Sequence, residues 1–163
     1  MLFYSGNILV DPSNADVIEE LGMTIRPTST SRDLVVLGAG PAGLAAAVYA
    51  ASEGRRTMVV EPEVPGGQAG TSSLIRKYLG FRHGVSGVEL AGRASEQAWL
   101  FGADIVLAQR GTRLEPRGDD RIVYTSDGSA VAARAVVLAT GVTWRRLDIP
   151  SLEALTGLRR RVL

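Results

Sequence analysis

At 163 residues the chain is long enough for one domain with a sizeable core and too short for two nucleotide-binding domains of ordinary size. Eighteen basic residues against 17 acidic ones leave no broad electrostatic footprint for nucleic acid or an anionic membrane. Zero cysteines exclude a disulfide, a thiolate metal site or a dithiol redox centre within the chain, and the single histidine, His83, excludes a histidine metal site.

Nineteen glycines, well above ordinary usage, point to tight turns or close ligand approach. Met1 to Val10 lack the basic start and small-residue cleavage site of a secretion signal. The most apolar stretch, Leu34 to Ala51, is broken by three glycines and a proline, which argues against a membrane span and leads to the expectation of a cytoplasmic protein.

In chain order, Asn7 to Val10 reads as a short strand and Asn14 to Leu21 as a helix, with Ser13 as its cap, Asp16 in its first turn and Gly22 at its end. One strand and one helix cannot enclose a core, so residues 1–31 are expected to dock on something or to be the tail of another domain. Arg26 to Arg32 looks like a linker. The run Leu34-Val35-Val36-Leu37, bounded by glycine, has the signature of a strand buried on both faces of a parallel sheet. An alanine-rich helix from Pro41 to Glu53 and a second buried strand, Thr57 to Glu61, complete a βαβ unit.

Pro62 to Ser73 reads as a loop, and Leu74 to Phe81 as a short helix or turn. Ser86 and Glu89 have capping-box spacing at the head of a helix from Val88 to Phe101, which Gly102 ends. Asp104 to Leu107 is a third strand. Thr112 to Pro116, Arg121 to Thr125 and Ala130 to Ala133 alternate as an antiparallel meander turning at Asp119-Asp120 and Asp127-Gly128, before a final buried strand at Val136 to Ala139. The arginine run 159–161 is expected to be a solvated chain end.

Gly38-Ala39-Gly40-Pro41-Ala42-Gly43 is a G-x-G-x-x-G placed after a buried strand and at the mouth of a helix, the context a dinucleotide fingerprint requires. Gly38 serves the tight turn, Gly40 the approach of a pyrophosphate to the backbone, and Gly43 the close packing of helix on strand. Pro41 suits the first helical position, where its missing N–H is no loss, and Ala42 lies beside it at the helix entrance facing the pyrophosphate. Glu61, at the end of the second strand, can accept hydrogen bonds from both ribose hydroxyls and disfavours a 2′-phosphate. Arg55 and Arg56, which would favour NADP there, fall in the turn before the strand and read as solvated turn charges.

The fingerprint does not separate FAD from a nicotinamide cofactor, because both carry the same ADP half. Gly66-Gly67-Gln68 after the ribose acid, the antiparallel meander, and Ala139-Thr140-Gly141 at the end of the last strand do. With these in order, the region from Asp33 to Pro150 resembles the thioredoxin reductase group of two-dinucleotide-domain flavoproteins. The resemblance implies an α/β, Rossmann-like three-layer fold: a central parallel sheet with helices on one face and an antiparallel β-meander on the other. It implies FAD as cofactor, with Gly67 and Gln68 beside the ribityl chain and flavin and Thr140 and Gly141 near the cofactor. NAD(P)H as co-substrate, a disulfide or other electron acceptor, and a homodimer follow from the same resemblance.

The stretch Arg76-Lys77-Tyr78-Leu79-Gly80-Phe81-Arg82 departs from the family pattern, with Lys77 where an Asn approaches the flavin and Arg82 where a Pro is usual. Lys77 and His83 are expected to be exposed loop residues. No second glycine fingerprint follows Gly43. Residues 32–146 are therefore read as the FAD-binding domain, 147–163 as a linker and the start of an absent NAD(P)H domain, and 1–25 as the last strand and helix of a preceding domain. Two functional readings remain: a segment of an FAD-dependent NAD(P)H oxidoreductase, or a non-catalytic fragment that binds FAD or another adenine dinucleotide, or serves as an interaction module.

Overall fold

The computed structural model describes residues 7–142. Elements follow in the order α1 (Asn14–Glu20), β1 (Ser31–Leu37), α2 (Pro41–Ser52), β2 (Thr57–Glu61), α3 (Gly67–Gly70), α4 (Gly87–Leu100), β3 (Asp104–Leu107), β4 (Gly111–Arg117), β5 (Asp120–Thr125) and β6 (Ala130–Leu138). One six-stranded sheet runs β3-β2-β1-β6-β5-β4, parallel from β3 to β6 and antiparallel beyond.

Strands that bury both faces need partners on both sides, and alternate residues of β1 and β2 find them. Val36 and Val59 pack with Leu44, Ala47 and Ala51 of α2 and Ala98 of α4. Val35, Leu37, Met58 and Val60 pack with Val123 and Val131 of the meander. Helices cover one face and the meander the other, the three layers the resemblance implied. Full burial of such a side chain stabilises by about 1.5–3 kcal/mol, and Val35, Val36, Met58 and Val59 are all completely buried.

Several expectations need correction. The two strands expected at Ala130 to Ala133 and Val136 to Ala139 are one nine-residue strand, β6, because Arg134-Ala135 contains no turn residue. Residues 130–133 pair with β5 and 132–138 with β1, so the meander is hydrogen-bonded into the parallel sheet. The first meander turn is Gly118-Asp119, since Gly118 supplies the positive φ of 61°. Asn7 to Val10 forms no strand among the described residues; Ile8 makes a single bridge. The Pro62 to Ser73 loop contains the one-turn helix α3. Leu74 to Phe81 takes the turn of the two alternatives expected, closed at its base by the reciprocal Ile75–Val85 backbone bonds of 2.7 and 3.0 Å.

The expected linker ends in structure: Ser31 and Arg32 belong to β1, and the buried Arg32 pairs with Asp104 at the head of β3. Thr28 joins the same network, and the Leu107 N–H donates to the Thr24 carbonyl at 3.0 Å. The segment after α1 therefore lies along the edge of β3, covering strand groups that would otherwise be unpaired. Ser13 and Asp16 form the reciprocal capping box of α1. The expectations for 143–163, the arginine run among them, lie outside the described residues.

Candidate functional site

Register determines what the parallel strands deliver together. Leu37 lies opposite Val60 on one side and Leu138 on the other, so the next residues, Gly38, Glu61 and Ala139, emerge side by side at the carboxyl ends of three strands. That end of an open α/β sheet is where ligands bind.

Gly38 turns the chain with φ 107° and donates its N–H to the Val60 carbonyl at 2.8 Å. A Cβ there would sit 2.3 Å from the Ala139 carbonyl oxygen, so the Ala139-Thr140 backbone closes one wall of the turn. Gly43 is needed for a different reason: its Cβ would lie 1.9 Å from the Gly38 carbonyl oxygen and 3.2 Å from Val36 Cγ1. Gly40, the cap of α2, has nothing within 4 Å of its Cβ position. The protein itself leaves that space open at the helix entrance, which is the room a pyrophosphate would take.

Helical bonding begins with the Leu44 N–H donating to the Gly40 carbonyl at 2.9 Å. Pro41 has no N–H, and the amides of Ala42 and Gly43 precede that bond at the positive end of the helix. Pro41 and Ala42 are both exposed.

Glu61 is 7% exposed and its carboxylate is held at both oxygens. Oε2 accepts from the Ala39 N–H at 2.7 Å and Oε1 from the Glu63 N–H at 3.0 Å. Each oxygen keeps a further lone pair for a ligand hydroxyl. Glu61 therefore also ties the second strand to the glycine turn, a role its position in the sequence did not disclose.

The Gly66-Gly67-Gln68 segment reaches the same place. The Gly66 N–H donates to the Ala39 carbonyl at 2.7 Å, and a Cβ on Gly67 would stand 3.6 Å from Gly40 Cα. Gln68 and Gly67 are exposed on α3, as are Thr140 and Gly141, the latter with φ 69°. Lys77 and His83 are exposed, and His83 Nε2 accepts from Arg82 Nε at 2.6 Å. The structure thus gathers residues 38–43, 61, 66–68 and 139–141 and leaves Lys77 on the surface. Sequence reasoning gave no role to Ala39 or Gly87 and quoted Gly66 only as part of the Gly66-Gly67-Gln68 motif. Ala39 acts through its backbone alone, and Gly87 through the approach of Ala69 from a different turn.

Arg56 is exposed, as expected, and it is also paired. Its Nη2 and Nε donate to Asp33 at 2.9 and 3.2 Å and its amide at 2.9 Å, across the amino ends of β1 and β2. Five residues of strand, about 16 Å, separate it from Glu61, too far to serve a ribose phosphate there. These bonds to Arg56 hold the Asp33 carboxyl at about 2, against an ordinary 3.8. A depressed folded-state value means that the pair's contribution is present above pH 3.8 and is lost as pH falls toward about 2. With the Arg56 side chain 60% exposed the contribution to stability is small. A carbon-13 titration should place the Asp33 midpoint near 2 and, in Arg56→Gln, return it toward 3.8; an unchanged midpoint in the variant would refute the assignment.

No helix among the described residues is long and apolar enough to cross a membrane, and among them no group of three or more His, Asp or Glu side chains could hold a metal ion.

The chain is 37% identical over 131 residues to thioredoxin reductase of Mycolicibacterium smegmatis, covering 80% of this chain and 42% of that protein. It is 38% identical over 128 residues to the bifunctional thioredoxin reductase/thioredoxin of Mycobacterium leprae, covering 78% of this chain and 28% of that one. The crystal structure of Lactococcus lactis thioredoxin reductase superposes with a TM-score of 0.68 at 33% identity, over 75% of this chain and 39% of that one. The chain thus spans well under half the length of the relatives it matches. The sequence pattern of the pyridine nucleotide-disulphide oxidoreductase family matches residues 32–162, and the chain belongs to that family.

Proposed function

We propose that this chain is the FAD-binding segment of a thioredoxin reductase-like oxidoreductase, in which electrons pass from NAD(P)H through flavin to a disulfide or other acceptor. One observation carries the reading: three segments far apart in sequence, 38–43, 66–68 and 139–141, meet around an open space beside the buried carboxylate of Glu61. An adenine nucleotide needs only the first of them and the acid. The other two extend the site beyond the ADP half, as a longer dinucleotide such as FAD requires.

In this reading the amides of Ala42 and Gly43 face the pyrophosphate across Gly40, and Glu61 accepts from the ribose hydroxyls. Gly67, Gln68, Thr140 and Gly141 flank the ribityl and ring end. FAD, when bound, supplies two-electron redox chemistry. The residues of this chain orient it and carry no proton or electron themselves. With no cysteine and no second glycine fingerprint in its sequence, the chain offers neither a dithiol acceptor nor a second nucleotide cradle. Residues 32–146 are the FAD-binding unit in this proposal, 1–31 an N-terminal extension, and 147–163 the connection toward an NAD(P)H-binding part.

The visible absorbance spectrum of the purified protein tests this. The expected result is a flavin spectrum, native or after FAD is added and the excess removed. Bleaching by NADPH once the remaining domains of a relative are supplied would establish the oxidoreductase reading. Binding without bleaching would favour a non-catalytic dinucleotide-binding module, and a protein that stays colourless after added FAD would overturn the FAD reading.

A further inference from the structure

We infer that Gly87 is a positioning residue for the flavin end of the site, acting by the absence of a side chain at the first position of α4. The inference rests on the FAD reading above. An ideal Cβ on Gly87 would lie 1.8 Å from the Ala69 carbonyl oxygen, 2.8 Å from its carbon and 3.0 Å from the carbonyl carbon of Gly70. All three are backbone atoms of α3 and cannot rotate away as a side-chain tip can. Gly87 has no positive φ, so the need is for room and not for backbone conformation.

The turn that Gly87 admits is held from both sides. The Gly87 N–H donates to the Ser72 carbonyl at 2.8 Å, and the Gly70 N–H closes the turn on the Gly66 carbonyl at 3.0 Å. Gly66, with φ 116°, has its Cβ position 2.8 Å from Ala91 Cβ of α4, while its N–H is bonded to Ala39 in the glycine turn. α3 is therefore a single-turn spacer between α4 and the cradle, and it sets Gly67 against Gly40 with Gln68 next in the same turn. A methyl at position 87 must push Ala69 by more than 1 Å to reach a tolerable contact. A four-residue turn moves as a unit, so the shift is passed to Gly67 and Gln68. On the far side, Gly38 keeps its bond to Val60 of β2, and the Glu61 carboxylate keeps those it accepts from the Ala39 and Glu63 N–H groups.

Isothermal titration of the full chain with FAD and with ADP separates these ends. Gly87→Ala is expected to lower FAD affinity tenfold or more, since misplacement of about 1 Å is enough for losses of that order, while ADP affinity stays within about twofold. Gly92→Ala, a like change on the same helix where a Cβ meets nothing within 4 Å, should alter neither. Should Gly87→Ala prove insoluble, Ala91→Val presses on the same turn at Gly66 and should give the same split. Unchanged FAD affinity, or equal loss for FAD and ADP, would overturn the inference, the latter by showing a general folding role. A wild-type chain that binds ADP and not FAD would overturn the FAD reading and this inference with it.

Discussion

Replacing Gly43 with alanine is expected to destabilise the protein and abolish nucleotide binding together, whereas Gly40→Ala should abolish binding and leave stability nearly untouched. A Cβ on Gly43 would fall 1.9 Å from the Gly38 carbonyl oxygen. That carbonyl cannot retreat, because Gly38 is fixed by its bond to Val60 and by the Ala139 backbone behind it. The helix must yield, which loosens Leu44, Ala47 and Ala51 from Val36 and Val59. Overpacking of this kind costs about 1–3 kcal/mol, and the rigid backbone on both sides places Gly43→Ala at the upper end. For a chain of this size that is a fall in Tm of about 5–10 °C, readable by circular dichroism. At Gly40 the Cβ position is open to the site, with φ at −72°. Its methyl meets ligand and not protein. Equal melting temperatures for the two variants would contradict the division of labour between these glycines.

Glu61→Gln is expected to weaken nucleotide binding by about 10–100-fold, the equivalent of one hydrogen bond to a charged acceptor. The carboxylate accepts from two backbone amides already, so the amide NH2 of glutamine must face one of those donors. The Ala39 or the Glu63 N–H then loses its acceptor, at a cost of about 1–3 kcal/mol in a buried position. The substitution therefore acts twice, on the ribose and on the glycine turn. Isothermal titration with ADP measures the first and a thermal melt the second. An affinity within twofold of wild type would contradict the assignment of Glu61.

The cradle was legible in the sequence because its signals are local. A buried strand, three spaced glycines, a proline at the helix start and an acid at the end of the next strand all lie within 31–61, and the structure assembles them by strand register. Capped elements were legible for the same reason: Ser13 and Ser86 head α1 and α4 as their spacing indicated. Non-local or backbone-only effects were not. Arg56 meets Asp33 across two strands, Ala39 acts through its amide and carbonyl, and Gly87 matters only because Ala69 approaches from a different turn. The splitting of β6 into two strands came from its pairing: residues 130–133, paired with β5, alternate like a meander strand, while 136–138, paired with β1 and not with β5, read as a buried run.

The most direct test of the site is a comparison of amide chemical shifts in the nitrogen-labelled chain on addition of ADP and of FAD. ADP should shift Gly38, Ala39, Gly40, Ala42 and Gly43 and leave the second group still. FAD should shift the same residues and, in addition, Gly67, Gln68, Thr140 and Gly141. Identical maps for the two ligands, or shifts confined to residues away from the ends of β1, β2 and β6, would contradict the account.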